Sequence, residues 1–96
     1  SAADGSECLS LAREVRPDLI FMDVVMPRVN GYQATRTLTR DPQTKSIPII
    51  MITTKDQETD RIWGMRQGAV DYLVKPVNEA VLVAKAQEVL TRGSNA

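Results

Sequence analysis

Three short, mainly apolar runs, each stopping at a polar side chain, constrain this chain more than any other feature. They are Leu19–Met22 before Asp23, Ile47–Ile52 before Thr53, and Val70–Val74 before Lys75. Continuous apolar runs of this length suit strands buried on both faces. Pro48 is tolerated because the first residues of a strand need not donate to the ladder. The stretches between them carry apolar residues at helical spacing. Ser6 to about Arg16 has Cys8, Leu11, Ala12 and Val15 on one stripe, and Pro17 closes it. Gly31 to about Arg40 turns Tyr32, Thr35 and Leu38 inward and ends at Asp41-Pro42. Glu58 to Gln67 turns in Ile62, Met65 and, past its end, Ala69, with Gly68 as the stop. Thr54 with Gln57 has the spacing of a capping box for that helix, and Asp56 is a second cap. The last helix is capped by Asn78, and its stripe is Leu82, Ala86, Val89 and Leu90. Gly64, inside a helix, costs about 1 kcal/mol relative to alanine, which points to a packing role. The order αβαβαβα with short loops gives a parallel sheet, helices on both faces and right-handed crossovers.

Composition narrows the function classes. The chain has 96 residues, 43% hydrophobic and 25% charged, enough for one domain with a modest core. Twelve Lys and Arg balance twelve Asp and Glu, which argues against nucleic acid held by a broad basic surface. No apolar stretch is long enough to span a membrane, and no signal peptide is visible. A single cysteine, Cys8, excludes an internal disulfide and reads as a small buried side chain, in keeping with a cytoplasmic setting. With no histidine, zinc-finger and Ser-His-Asp chemistry are excluded from this chain acting alone. Residues 1–92 form the expected domain, and 93–96 form a tail.

In a parallel sheet the carboxyl ends of all strands lie on one edge, where open α/β folds bind their ligands. Asp23, Thr53 and Lys75 would meet there. Pro27 and Asn30-Gly31 should stiffen the loop after Asp23. A carboxylate, a hydroxyl and an ammonium together suit a phosphoryl group. The carboxylate accepts it as nucleophile, the ammonium pairs with its oxygens and the hydroxyl donates to another of them. A plain Asp23–Lys75 ion pair with Thr53 as a strand-end residue fits the same residues. A carboxylate-nucleophile phosphatase does not fit. The residue two after Asp23 is Val25, which has no acid to offer, so no enzyme is expected.

The chain resembles the receiver domain of bacterial two-component response regulators. The likeness rests on Pro17-Asp18-Leu19-Ile20-Phe21-Met22-Asp23, on Met26-Pro27, and on Gly31 eight residues after Asp23. Thr53 thirty after, Lys75-Pro76 fifty-two after, and Gly68-Ala69 before Asp71-Tyr72 complete it. It runs from about Asp4 to Leu90. The stretch Thr53 to Ala69 is similar, more narrowly, to single-domain receivers of type IV pilus (twitching motility) chemotaxis systems. The resemblance implies a flavodoxin-like doubly wound sheet and phosphorelay signalling, with Asp23 phosphorylated by a histidine kinase. It implies Thr53 and Tyr72 as switch residues and Lys75 as the pairing lysine, with a bond to Pro76 that is often cis. It also implies Mg²⁺ held by Asp23 and the backbone carbonyl of Val25. An output protein would bind the face of the 56–67 helix, the 70–74 strand and the last helix. Trp63 reads either as packing between helices or as a partner-contact anchor on that face.

The sequence departs from the family at its start. It supplies counterparts of family strands three, four and five, without the first strand, first helix, second strand or their acidic pair. Mg²⁺ binding is therefore expected to be weak here, and phosphate acceptance slow. Leu19–Met22 becomes an apolar edge, expected to pair with a second copy or a separate N-terminal fragment. A phosphorylation-independent interaction module is the alternative function. The cognate kinase, the output partner and the oligomeric state are not written in these residues.

Overall fold

The computed structural model describes residues 12–23, 25, 26, 29–54 and 58–94. The expected first-helix cap at Ser6, the Cys8 stripe residue and the 54–57 capping box lie wholly or partly outside the described residues.

The first described element is the end of a helix, α1, at residues 12–15. Arg16 stops it by taking a positive φ of 51° while its N–H still donates to the Ala12 carbonyl at 2.9 Å. A left-handed residue at this position is a common helix stop, and Pro17 cannot continue the helix.

Three parallel strands follow the expected runs: β1 (Ile20–Asp23), β4 (Ile49–Thr53) and β5 (Asp71–Val74), in the order β1-β4-β5. Central β4 is buried at all five positions, which is why its sequence reads Ile-Ile-Met-Ile-Thr without alternation. All three runs are trimmed at their starts relative to the sequence reading. Leu19, Ile47 and Pro48 precede their strands, yet the Pro48 carbonyl accepts the Ile20 N–H at 3.0 Å. Val70 likewise precedes β5 but donates to the Ile49 carbonyl at 2.8 Å. Among the described residues β1 ends the strand order.

A hairpin not foreseen in the sequence sits between β1 and the next helix. Two-residue strands β2 (Val25–Met26) and β3 (Val29–Asn30) pair antiparallel, Met26 opposite Val29 and Val25 opposite Asn30. Strands this short carry no readable periodicity, so only the stiffness of the loop was foreseeable.

The helices α2 (Gly31–Arg40), α3 (Glu58–Arg66) and α4 (Glu79–Ser94) fall where expected, with corrections to their faces. Ala12, Met22, Ala34, Leu38 and Ile49 form a core cluster that joins α1, β1, α2 and β4. In α2 the inward residues are Ala34, Thr35 and Leu38, whereas Tyr32 is half-buried. Thr44, also fully buried, donates from Oγ1 to the Leu38 carbonyl at 2.7 Å and so satisfies one orphan carbonyl at the end of α2.

The expected inward stripe of α3 is not observed. Ile62 and Met65 are 45% and 41% exposed, and only Ala69, beyond the helix, is buried. The reason is Gly64. A Cβ there would lie 2.6 Å from Met51 Sδ, so α3 sits on β4 through its glycine and turns its larger side chains outward. In α4, Asn78 caps as expected, its Oδ1 accepting the Val81 N–H at 2.9 Å. Val89 is buried, Leu82 and Ala86 are half-buried, and Leu90 is exposed. The helix runs to Ser94, two residues into the stretch expected as tail. Single glycines are tolerated near helix ends at modest cost, so Gly93 does not stop it. Arg92 also places positive charge in the last turn, where the helix dipole favours it.

Candidate functional site

The strand register sets the site. Asp23, the last residue of β1, lies beside Ile52 of β4. Thr53, the last residue of β4, lies beside Val74 of β5. Lys75 follows directly, and its N–H donates to the Thr53 carbonyl at 2.6 Å, tying the ends of β4 and β5 together. Its side chain crosses to β1, where Nζ donates to Asp23 Oδ2 at 2.6 Å. The two side chains are 34% and 31% exposed, so the pair is neither sealed nor freely solvated. Thr53 is fully buried. The Lys75–Pro76 peptide is cis.

Tyr72 pairs with Met51, two residues before Thr53, so Thr53 and Tyr72 share one face of the sheet. Asp23 shares the pleat of Ile52 and falls on the other face. Asp23 and Lys75 thus meet at the carboxyl-end edge of the sheet, while Thr53 ends the neighbouring strand with its side chain on the opposite face from Asp23. Val25 lies in β2, two residues after Asp23. Among the described residues no three His, Cys, Asp or Glu side chains cluster as they would around a metal ion.

A second charged group was missed in the sequence. On β5, Asp71 Oδ2 accepts from Arg92 at 2.8 Å and from Lys85 at 3.1 Å, and its Oδ1 accepts the Tyr72 N–H at 2.8 Å. Glu88 joins Lys85 at 3.0 Å and Arg92 at 2.9 Å. The signal was present in the i, i+3 and i, i+4 spacing of Lys85, Glu88 and Arg92 along α4. The strand partner could not be seen without the fold. Burial pushes the Asp71 carboxyl up, but Arg92, the Tyr72 N–H and Lys85 together outweigh it and hold the group below its ordinary value of 3.8.

A carboxyl held low stabilises the fold above its unfolded pKa, and that stability is lost as pH falls through the folded value. Acid unfolding below about pH 4 should therefore be shallower in Asp71→Asn, which should also lose about 1–2 kcal/mol at neutral pH. Urea melts across pH 2.5 to 7 check this; equal acid limbs in parent and variant would contradict it.

A three-stranded parallel sheet with Asp, Thr and Lys at its strand ends defines the class. The receiver-domain family of response regulators matches residues 1–87, and the chain belongs to that family. Protein PilH of Pseudomonas aeruginosa is 55% identical over 89 residues, which cover 93% of this chain and 74% of PilH. Transcriptional regulatory protein AfsQ1 of Streptomyces coelicolor is 43% identical over 93 residues, 97% of this chain but 40% of that protein. Among solved structures, chemotaxis protein CheY4 of Vibrio cholerae superposes with a TM-score of 0.83 at 38% identity, covering 92% of this chain and 73% of that one. The fold is accordingly the flavodoxin-like α/β fold of receivers. No helix among the described residues is long and apolar enough to cross a membrane.

Proposed function

We propose that the chain is a phosphoacceptor. A carboxylate oxygen of Asp23 attacks the phosphorus of a kinase phosphohistidine, the P–N bond breaks, imidazole leaves, and an acyl phosphate remains on Asp23. The observation that carries this reading is the 2.6 Å contact between Lys75 Nζ and Asp23 Oδ2, which places an ammonium where phosphoryl oxygens would arrive. The 2.6 Å hydrogen bond from the Lys75 N–H to the Thr53 carbonyl ties the two residues' backbones together, which supports a coupled response of Thr53 when the new charge arrives. A phosphoryl group adds a charge near −2. Engagement of Thr53 would favour one of two arrangements of the Thr53–Tyr72 face, and a few kcal/mol of differential stabilisation is enough to invert such an equilibrium.

Asp23 and the Val25 carbonyl offer hard oxygen donors, the kind Mg²⁺ takes, and they are the residues that would hold it. When bound, the ion neutralises charge on the phosphoryl oxygens. Two protein donors leave most of the coordination to water and phosphate, in keeping with weak binding. Output then runs by protein contact through α3, β5 and α4, with the chain acting as an acceptor and not as an enzyme. The 55% identity to PilH and the wording of residues 53–69 support a place in type IV pilus or chemotaxis signalling in the cytoplasm.

With acetyl phosphate and excess Mg²⁺, the chain should slowly gain one phosphoryl group by intact mass, and Asp23→Asn should gain none. A parent chain that stays unlabelled while still binding an output partner would point to a phosphorylation-independent interaction module instead.

A further inference from the structure

The groove between α2 and α3 is lined by side chains that the strand-end site does not use. Tyr32, Gln33 and Arg36 contribute from α2, and Trp63 and Gln67 from α3 and the turn after it, around about 220 Å³. The helices come close because of Gly64, whose missing Cβ would stand 3.6 Å from Tyr32 Cε1 as well as against Met51. Trp63, the chain's one tryptophan, is 52% exposed there.

We propose that this groove docks a protein partner through a short segment that sets a carboxylate beside a flat apolar side chain. Three features select that chemistry. The volume falls below the roughly 300–1,000 Å³ of small-molecule pockets and suits one large side chain. The indole of Trp63 supplies a broad rigid surface, the kind of residue on which binding energy concentrates. Among the described residues Arg36 is the one charged residue lining the groove, Arg40 stands one turn further along, and α2 contains no acidic residue. A guanidinium in that setting matches a carboxylate, which it grips with two parallel hydrogen bonds. The groove lies on the α2 side of α3, whereas Arg61, Ile62, Met65 and Arg66 line a separate recess. Docking here needs neither Asp23 nor a phosphoryl group.

Short random peptides selected on the immobilised 96-residue chain test the proposal, with Trp63 emission as the report of occupancy. Peptides carrying Asp or Glu next to Phe, Tyr or Leu should be enriched and should shift that emission saturably. Their affinity should fall at least about tenfold against Arg36→Gln and against Trp63→Ala, and should weaken with salt. Both positions are exposed, so both variants should keep the parent's unfolding midpoint. A selection that yields no binder, binders with no acidic residue, or binders that hold either variant as tightly as the parent would overturn it.

Discussion

Replacing Gly68 by alanine is expected to destabilise the fold by about 3 kcal/mol or more, the largest loss of stability we anticipate from a single methyl group. Two costs add. Gly68 has a φ of 114°, where an L side chain is strained. Its Cβ would also lie 2.6 Å from Thr39 Oγ1, 2.7 Å from Cγ2 and 2.8 Å from Cβ. A rotamer change can move the first two atoms. It cannot move the third, which is fixed to the backbone of α2. The helix would have to shift, and with it the 2.8 Å bond from Thr39 Oγ1 to the Gln67 carbonyl that joins α2 to the end of α3. Equilibrium urea unfolding measures the loss. Thr39→Ala in the same chain should recover part of the steric cost and none of the backbone strain. A Gly68→Ala chain within about 0.5 kcal/mol of the parent would show that the turn relaxes freely.

Lys75→Ala should separate function from stability. The Asp23–Lys75 pair is about one-third exposed, and pairs in such settings contribute about 1 kcal/mol or less. If the ammonium acts on a transferred phosphoryl group, its removal should slow labelling of Asp23 by about 10²–10³-fold, the scale seen when a positioned electrostatic donor is lost. The unfolding midpoint should barely move. Lys75→Arg keeps the charge but not the compact head group, and it should recover only part of the rate. Equal labelling rates in parent and Lys75→Ala would reduce the lysine to a structural partner of Asp23.

Much of this was written in the residues. Asp23, Thr53 and Lys75 stand out because each ends an apolar run, and a parallel sheet carries such ends to one edge by topology alone. The capping role of Asn78 was equally plain, since it depends on one side chain and an amide three residues on. What escaped depended on partners far along the chain. The face of α3 was misread because a helical stripe was sought in Ile62 and Met65, whereas contact with Met51 is made by the residue with no side chain, Gly64. The Asp71 cluster joins residues 14 and 21 apart, across a helix whose orientation only packing decides. The β2–β3 hairpin is too short to leave a pattern.

Whether the strand-end rim accepts phosphate is tested most directly by trapping. The chain is treated with acetyl phosphate and excess Mg²⁺, reduced with borohydride and digested, and the fragments are sequenced by mass spectrometry. An acyl phosphate on Asp23 predicts a homoserine at position 23 that forms only after phosphorylation; reduction products at another carboxylate, or none at all, would contradict the assignment.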